Sequence, residues 1–183
     1  PHHCIDAVEP WEPFSVAQYV ARADEAIAGL FAAGAAPLAV GGTSLYIKAL
    51  SEGLFAGPPA SAEFRAELES RARREGWSAI HAELAKIDPD AGGRIHPNDE
   101  RRITRALEVY RLSGQPISRL QSQWDTGRRR YDCVFLGLQR EKEDLARRIN
   151  LRVKRMVEAG LREEVRTLLE DPRGLSPQAA QAV

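Results

Sequence analysis

Apolar and polar positions along the chain follow two different periods. Over residues 15–34, SVAQYVARADEAIAGLFAAG, the side chains Val16, Tyr19, Val20, Ala23, Ala26, Ile27 and Leu30 recur every three or four residues. That spacing predicts a helix with one apolar face. Ser15 stands at the N-cap position and Gly34 just past the last periodic residue. Leu38-Ala39-Val40 reads as a short buried strand, and Thr43 to Leu50 as a helix after two glycines. Gly57-Pro58-Pro59-Ala60 is a hinge-like linker. Beyond it the pattern is helical, in segments at about 61–75, 77–86, 98–113 and 116–123. Alternation returns in Tyr131-Asp132-Cys133-Val134-Phe135-Leu136-Gly137-Leu138, which predicts a strand. Helices at about 141–159 and 161–170 follow, separated by Gly160. With a strand-like opening at Pro1-His2-His3, the expected order is βαβα, an all-helical stretch, then βαα.

This order predicts an α/β protein in two parts. Residues 1–57 and 129–183 make a parallel-sheet core, and 58–128 an all-helical insertion lobe. No repeat or low-complexity tract interrupts it. The chain of 183 residues is 43% apolar and 28% charged, as in an ordinary soluble globular protein. No apolar run reaches the ~20 residues of a membrane span, and no signal peptide opens the chain. The abrupt start at Pro1 and stop at Val183 suggest a fragment of something longer. Cys4 and Cys133 are far apart in apolar runs, which predicts reduced, buried thiols in a cytosolic protein.

Net charge is zero, but its distribution is uneven. Residues 1–60 carry Arg22 and Lys48 against six acidic side chains, whereas residues 94–130 carry nine arginines against Asp99, Glu100, Glu108 and Asp125. A basic stretch of this kind marks a polyanion-facing surface, although a solvated helix face gives the same pattern.

Three stretches are candidates for chemistry. Val40-Gly41-Gly42-Thr43 joins the short strand to a helix N-terminus, where backbone N–H groups and the helix dipole favour an anion. Two glycines leave room for a phosphate, or they make a tight turn with Thr43 as the cap. A Walker loop would need G-x-x-x-x-G-K-S/T, which is absent. In RIHPNDERRITRALEVY, residues 94–110, Asn98 or Asp99 caps a helix whose core stripe is Ile103, Ala106, Leu107 and Tyr110. Arg101 and Arg105 share an outward face flanked by Arg102, and their forks suit phosphate oxygens; a salt-bridged solvated face is the alternative. In RINLRVKRM, residues 148–156, Arg148, Arg152 and Arg155 form a stripe beside the expected buried side of Ile149, Val153, Met156 and Val157. One of these three arginines would lean over the sheet edge toward a diphosphate, or all of them lie at the surface as most such arginines do. His2-His3 lacks further ligands at metal-binding spacing.

Taken together, PHHCID, LAVGGTSLYIKAL, RIHPNDERRITRALEVYRLSGQPIS and INLRVKRMVEAGLREEV closely resemble the tRNA dimethylallyltransferases (tRNA isopentenyltransferases) over essentially the whole chain. The resemblance implies a P-loop-NTPase-like parallel-sheet core, nucleotide- and ATP-binding, with a helical insertion that grips the tRNA anticodon stem-loop. It implies transfer of a dimethylallyl group from dimethylallyl diphosphate to the exocyclic amine of the adenosine 3′ of the anticodon. The amine attacks an allylic carbon as diphosphate leaves, with the adenosine taken out of its stack and Mg²⁺ holding diphosphate oxygens.

By the same resemblance Gly41, Gly42, Thr43 and Arg152 are diphosphate-binding residues. Thr43 also stands at the target adenosine as the catalytic residue. Arg65, Arg101, Arg102, Ile103, Thr104 and Arg105 are tRNA contacts. Cys4 stands where the family usually has leucine, and Ser44 where glycine is common. The family's phosphate loop and its general-base aspartate are expected upstream of Pro1, and its C-terminal helices beyond Val183. The resemblance further implies a cytoplasmic monomer. An adenylate isopentenyltransferase, a nucleotide-kinase-like phosphotransferase and a non-catalytic RNA-binding relative are the rival readings.

Overall fold

The computed structural model describes residues 1–55, 57–121 and 127–181. Its regular elements among those residues are helices: α1 (Val16–Ala32), α2 (Ser44–Glu52), α3 (Ala62–Glu75), α4 (Trp77–Ile87), α5 (Pro89–Arg94), α6 (Glu100–Ser113), α7 (Ile117–Leu120), α8 (Lys142–Glu158) and α9 (Leu161–Glu170), with a 3-10 turn at Ala179–Gln181. The chain divides into two units, one comprising residues 1–49 and 132–183 and the other residues 50–131.

The parallel-sheet core expected from the sequence is not there: no described residue lies in a strand. Leu38-Ala39-Val40 and Cys133 to Leu138 run without a ladder, and their apolar side chains face solvent, with Val40 88% and Leu138 97% exposed. A parallel strand is stable only when neighbours pair its N–H and C=O groups and both its faces are covered. Neither run belongs to a sheet among the described residues. The strand-like opening fails for a local reason as well, because Cys4 and Asp6 have φ of 60° and 49°, left-handed values that interrupt extended backbone. Cys4 is exposed and Cys133 half-buried, so neither is the buried thiol its context predicts.

The helices fall close to where the periodicity puts them, because local capping defines their ends. Ser15 and Gln18 form a reciprocal capping box on α1. Ser61 Oγ accepts from the Phe64 N–H, and Asp99 Oδ1 from the Arg102 N–H. Gly76, at φ 83°, ends α3 and begins α4 with a backbone that side-chain-bearing residues avoid. The periodicity missed α5, a single turn and a half too short to show it. The expected helix at 116–123 is α7, with positions 122 and 123 outside the described residues.

The second unit holds the hydrophobic core. Leu68 and Ala72 of α3, Ile80 and Leu84 of α4, Ala91 of α5, Ile103, Ala106, Leu107 and Val109 of α6 and Ile117 of α7 pack together, with Phe55, Phe64, Trp77, Ile87, Ile95 and Leu120 at its margin. Each fully buried Leu or Ile contributes roughly 1.5–3 kcal/mol. Tyr110, expected in the stripe, is exposed, while Glu108 takes a buried place in it. Helices α4 and α5 approach so closely that a Cβ on Gly92 would lie 2.7 Å from Ala85 Cα. The half-buried His81 helps hold this corner: its Nε2–H donates to the carbonyls of Gly92 and Ile95 at 3.1 and 2.8 Å.

The first unit is held by specific contacts. Tyr19 of α1 stacks on Tyr46 of α2 at 4.4 Å. Arg173 lies over the Trp11 ring at 3.3 Å and forks onto Asp171, while the Ser176 N–H donates to Pro10 C=O. Helices α8 and α9 bury no side chain. Ile149, Val153, Met156 and Val157, expected to be buried, are exposed. The helical phase is as expected, but no described element covers that face.

Candidate nucleic-acid interface

The approach to α6 is built from its own sequence. His96 Nδ1 accepts from the Asn98 N–H at 3.1 Å, and His96 C=O accepts from the Asp99 N–H at 2.8 Å. This turn delivers Asp99 to the N-cap. Glu100 follows in the first turn, where an anion suits the helix dipole. Arg101 and Arg102 then project from the start of α6, both exposed. Arg102 Nε lies 3.4 Å from Asp99 Oδ2, a surface pair worth little. Arg101 has no ion pair among the described residues.

One turn later the same helix turns inward. Glu108 is fully buried, and its carboxylate accepts four hydrogen bonds: Arg65 Nε on Oε1 at 2.7 Å, Arg65 Nη2 on Oε2 at 2.9 Å, Arg105 Nη1 on Oε2 at 2.7 Å, and the Ser61 N–H on Oε1 at 2.9 Å. Arg105 Nη2 also donates to Pro58 C=O at 2.9 Å, and its guanidinium lies over the Phe55 ring. Burial pushes the Glu108 carboxyl up, but the hydrogen bonds from Arg65, Arg105 and Ser61 outweigh it and hold the pKa at about 2. The bond to Glu108 in turn raises the pKa of Arg65.

The expected tRNA contacts are therefore of three kinds. Arg101 and Arg102 are open to solvent. Arg65 and Arg105 are anchored on Glu108 yet keep part of their surface exposed. Ile103 is fully buried in the core, which leaves its side chain nothing to offer an RNA, and Thr104 is half-buried beside it.

Gly41, Gly42 and Thr43 are exposed, and Thr43 C=O accepts from the Ile47 N–H at 3.0 Å, so Thr43 begins α2. The glycine turn follows a segment without regular secondary structure instead of a sheet strand. Neither Gly41 nor Gly42 has a positive φ, and a Cβ on either would meet open space. On α8, Arg148 Nε donates to Asp144 Oδ2 at 2.9 Å, and Arg148, Arg147 and Arg140 hold the Asp144 carboxyl below its usual range. Arg152 is exposed, without an ion pair among the described residues, and lines a shallow groove with Arg148, Leu151, Arg155, Met156 and Ala159.

The whole chain, residues 1–183, matches the family described as IPP transferase. The chain belongs to the IPP transferase family. Among its relatives, a tRNA dimethylallyltransferase of Geobacter sulfurreducens is 47% identical over 97% of this chain and 56% of its own length. One from Shouchella clausii is 45% identical over 100% of this chain and 58% of its own. Of solved structures, the full-length tRNA isopentenylpyrophosphate transferase of Bacillus halodurans is similar at 39% identity and TM-score 0.56, over 99% of this chain and 55% of that one. A eukaryotic dimethylallyltransferase, described as acting on tRNA, is similar at 27% identity and TM-score 0.73, over 99% of this chain and 45% of that one. The chain thus spans a little over half the length of the curated relatives it matches.

For this IPP transferase chain, the anchors Glu108, Asp88 and His81 are what reading the sequence missed. Glu108 had a usable signal: it follows Arg105 by three positions and sits in phase with Ile103, Ala106 and Leu107. Asp88 and His81 had none beyond an N-cap position before Pro89.

Proposed function

We propose that the protein is a tRNA dimethylallyltransferase. It transfers the dimethylallyl group of dimethylallyl diphosphate to the exocyclic amine of the adenosine 3′ of the anticodon, as a cytoplasmic monomer. The observation that carries this reading is the Gly41-Gly42-Thr43 turn. No φ and no neighbouring atom demands a glycine there, whereas a diphosphate approaching bare backbone at the start of α2 does. The names of the relatives support the same chemistry.

In this reading the Thr43 hydroxyl donates to the oxygens where charge develops as diphosphate leaves, and the cationic Arg152 neutralises that charge. Arg101 and Arg102 hold the anticodon stem-loop backbone, with Arg65 and Arg105 alongside. Mg²⁺ belongs to the implied chemistry, where diphosphate oxygens, waters and one or two carboxylates would hold it; a cluster of three His, Cys, Asp or Glu side chains is not formed among the described residues.

The test presents the full-length protein with labelled dimethylallyl diphosphate and two competing acceptors, a tRNA transcript and AMP. Label is expected on the tRNA adenosine next to the anticodon. Label on AMP would make the protein an adenylate isopentenyltransferase. RNA binding with no label on either acceptor would make it a non-catalytic relative.

A further inference from the structure

Two guanidinium groups meet on one buried oxygen. Arg65 Nη2 and Arg105 Nη1 both donate to Glu108 Oε2, so an arginine of α3 and an arginine of α6 are neighbours because a single carboxylate holds both. Glu108 has no solvent exposure, and its four hydrogen bonds leave it no freedom to reorient. The two arginines are different: their side chains are 47% and 32% exposed. Arg65 spends Nε and Nη2 on the carboxylate, and Arg105 spends Nη1 on it and Nη2 on Pro58 C=O. Among the described residues Arg65 Nη1 and Arg105 Nε have no partner. The cluster carries two positive charges against one negative, and Arg101 lies four residues before Arg105 on the same helix face.

We propose that Glu108 is a positioning residue for RNA binding: it holds Arg65 and Arg105 as a preorganised pair whose remaining N–H groups take a phosphodiester of the bound RNA. An arginine fixed at its inner edge pays little rotamer entropy when its outer edge meets a phosphate. A pair fixed together presents several donors to one anion. The inference rests on the reading of the protein as a tRNA-binding transferase, and adds to it a buried residue that touches no RNA.

A simple field argument predicts the opposite sign. Glu108 is an anion close to a surface that binds a polyanion, so Glu108→Gln should tighten RNA binding if only charge mattered. If Glu108 positions the arginines, Glu108→Gln weakens it. Arg65→Lys keeps the charge but loses the fork, so the field account expects no change and the positioning account expects a loss.

The experiment measures binding of a 5′-labelled anticodon stem-loop hairpin to the full-length wild type, Glu108→Gln and Arg65→Lys across a salt series, well below each melting temperature. Steady-state kinetics are run with the whole tRNA. Each variant is expected to bind about tenfold more weakly, with a salt slope reduced by about one phosphate contact. KM for tRNA should rise while kcat at saturating tRNA holds. The double variant should lose little more than either single one, because both remove the same arrangement. Glu108→Gln binding as tightly as wild type or tighter, with Arg65→Lys unchanged, would overturn the proposal while leaving the tRNA reading intact. A wild type that fails to bind the hairpin would overturn both. Arg65→Lys, changed at a half-exposed position, keeps the test valid if Glu108→Gln does not fold.

Discussion

Asp88 Oδ2 accepts the backbone N–H of Ser118 at 2.9 Å, across thirty residues of chain. Its other oxygen, Oδ1, accepts the Ala91 N–H at 3.0 Å. One buried carboxylate thus caps α5 and ties down the start of α7. Burial works against the charge, yet the N–H donors of Ser118 and Ala91 keep the carboxyl below its usual range. Asp88→Ala removes both bonds and strands buried N–H groups, which should destabilise the helical unit by about 2–3 kcal/mol. Asp88→Asn keeps one acceptor oxygen and should lose about half of that. Urea unfolding of the three proteins, followed by circular dichroism, checks the ranking.

Two adjacent glycines of α5 should respond to alanine with opposite signs. At Gly92 a Cβ would meet Ala85 Cα at 2.7 Å, a backbone atom that cannot step aside. Gly92→Ala is expected to cost about 1–3 kcal/mol through overpacking. A Cβ at Gly93 meets nothing within 4 Å. There alanine should add about 0.5–1 kcal/mol by restricting the unfolded chain. Thermal melts of the two single variants decide it.

Glu108 gives the helical unit an acid limit. Its pKa falls from 4.5 to about 2 on folding, so the folded state favours the ionised form. The stabilisation is therefore complete above pH 4.5 and is lost as pH drops toward 2. Urea midpoints measured from pH 7 to pH 2.5 should fall through that window for the wild type. Glu108→Gln should start lower and fall less steeply, and the difference between the two curves isolates Glu108 from other carboxylates such as Asp171.

Thr43 separates stability from turnover. It begins α2 but is exposed, with its carbonyl engaged by the Ile47 N–H. A cap is worth about 1 kcal/mol, whereas a donor used in the transition state is worth about 3 kcal/mol in rate. In the full-length protein Thr43→Ala should lower kcat by about two orders of magnitude with a nearly unchanged melting temperature. Thr43→Ser should retain much of the activity. Normal turnover beside a lower melting temperature in Thr43→Ala would make the threonine a cap only.

The helices were legible because helix formation is local. Ser15, Ser61 and Asp99 cap within three residues of themselves, and the apolar spacing of α1, α3, α4 and α6 lies within each element. The HPND turn that leads into α6 is local too, as is the exposure of Arg101 and Arg102 at its first turn. The family resemblance was carried by contiguous motifs, and the match over the whole chain agrees with it.

What the sequence could not determine depends on partners far away along the chain. An apolar run such as Val134 to Leu138 becomes a strand only if another segment pairs with it in a ladder and its faces are covered, and no described residue lies in a strand. The stripe of Ile149, Val153 and Met156 has helical phase, but burial of a stripe requires an element to cover it. Arg105 reads as an outward-facing arginine like Arg101, and Arg65 as a tRNA contact by the family resemblance alone. Arg105 meets Glu108 within its own helix, but only the tertiary structure brings Arg65 to that carboxylate 43 residues away. Charge pattern along a helix says which residues can meet a phosphate, but packing decides which of them a buried anion holds first.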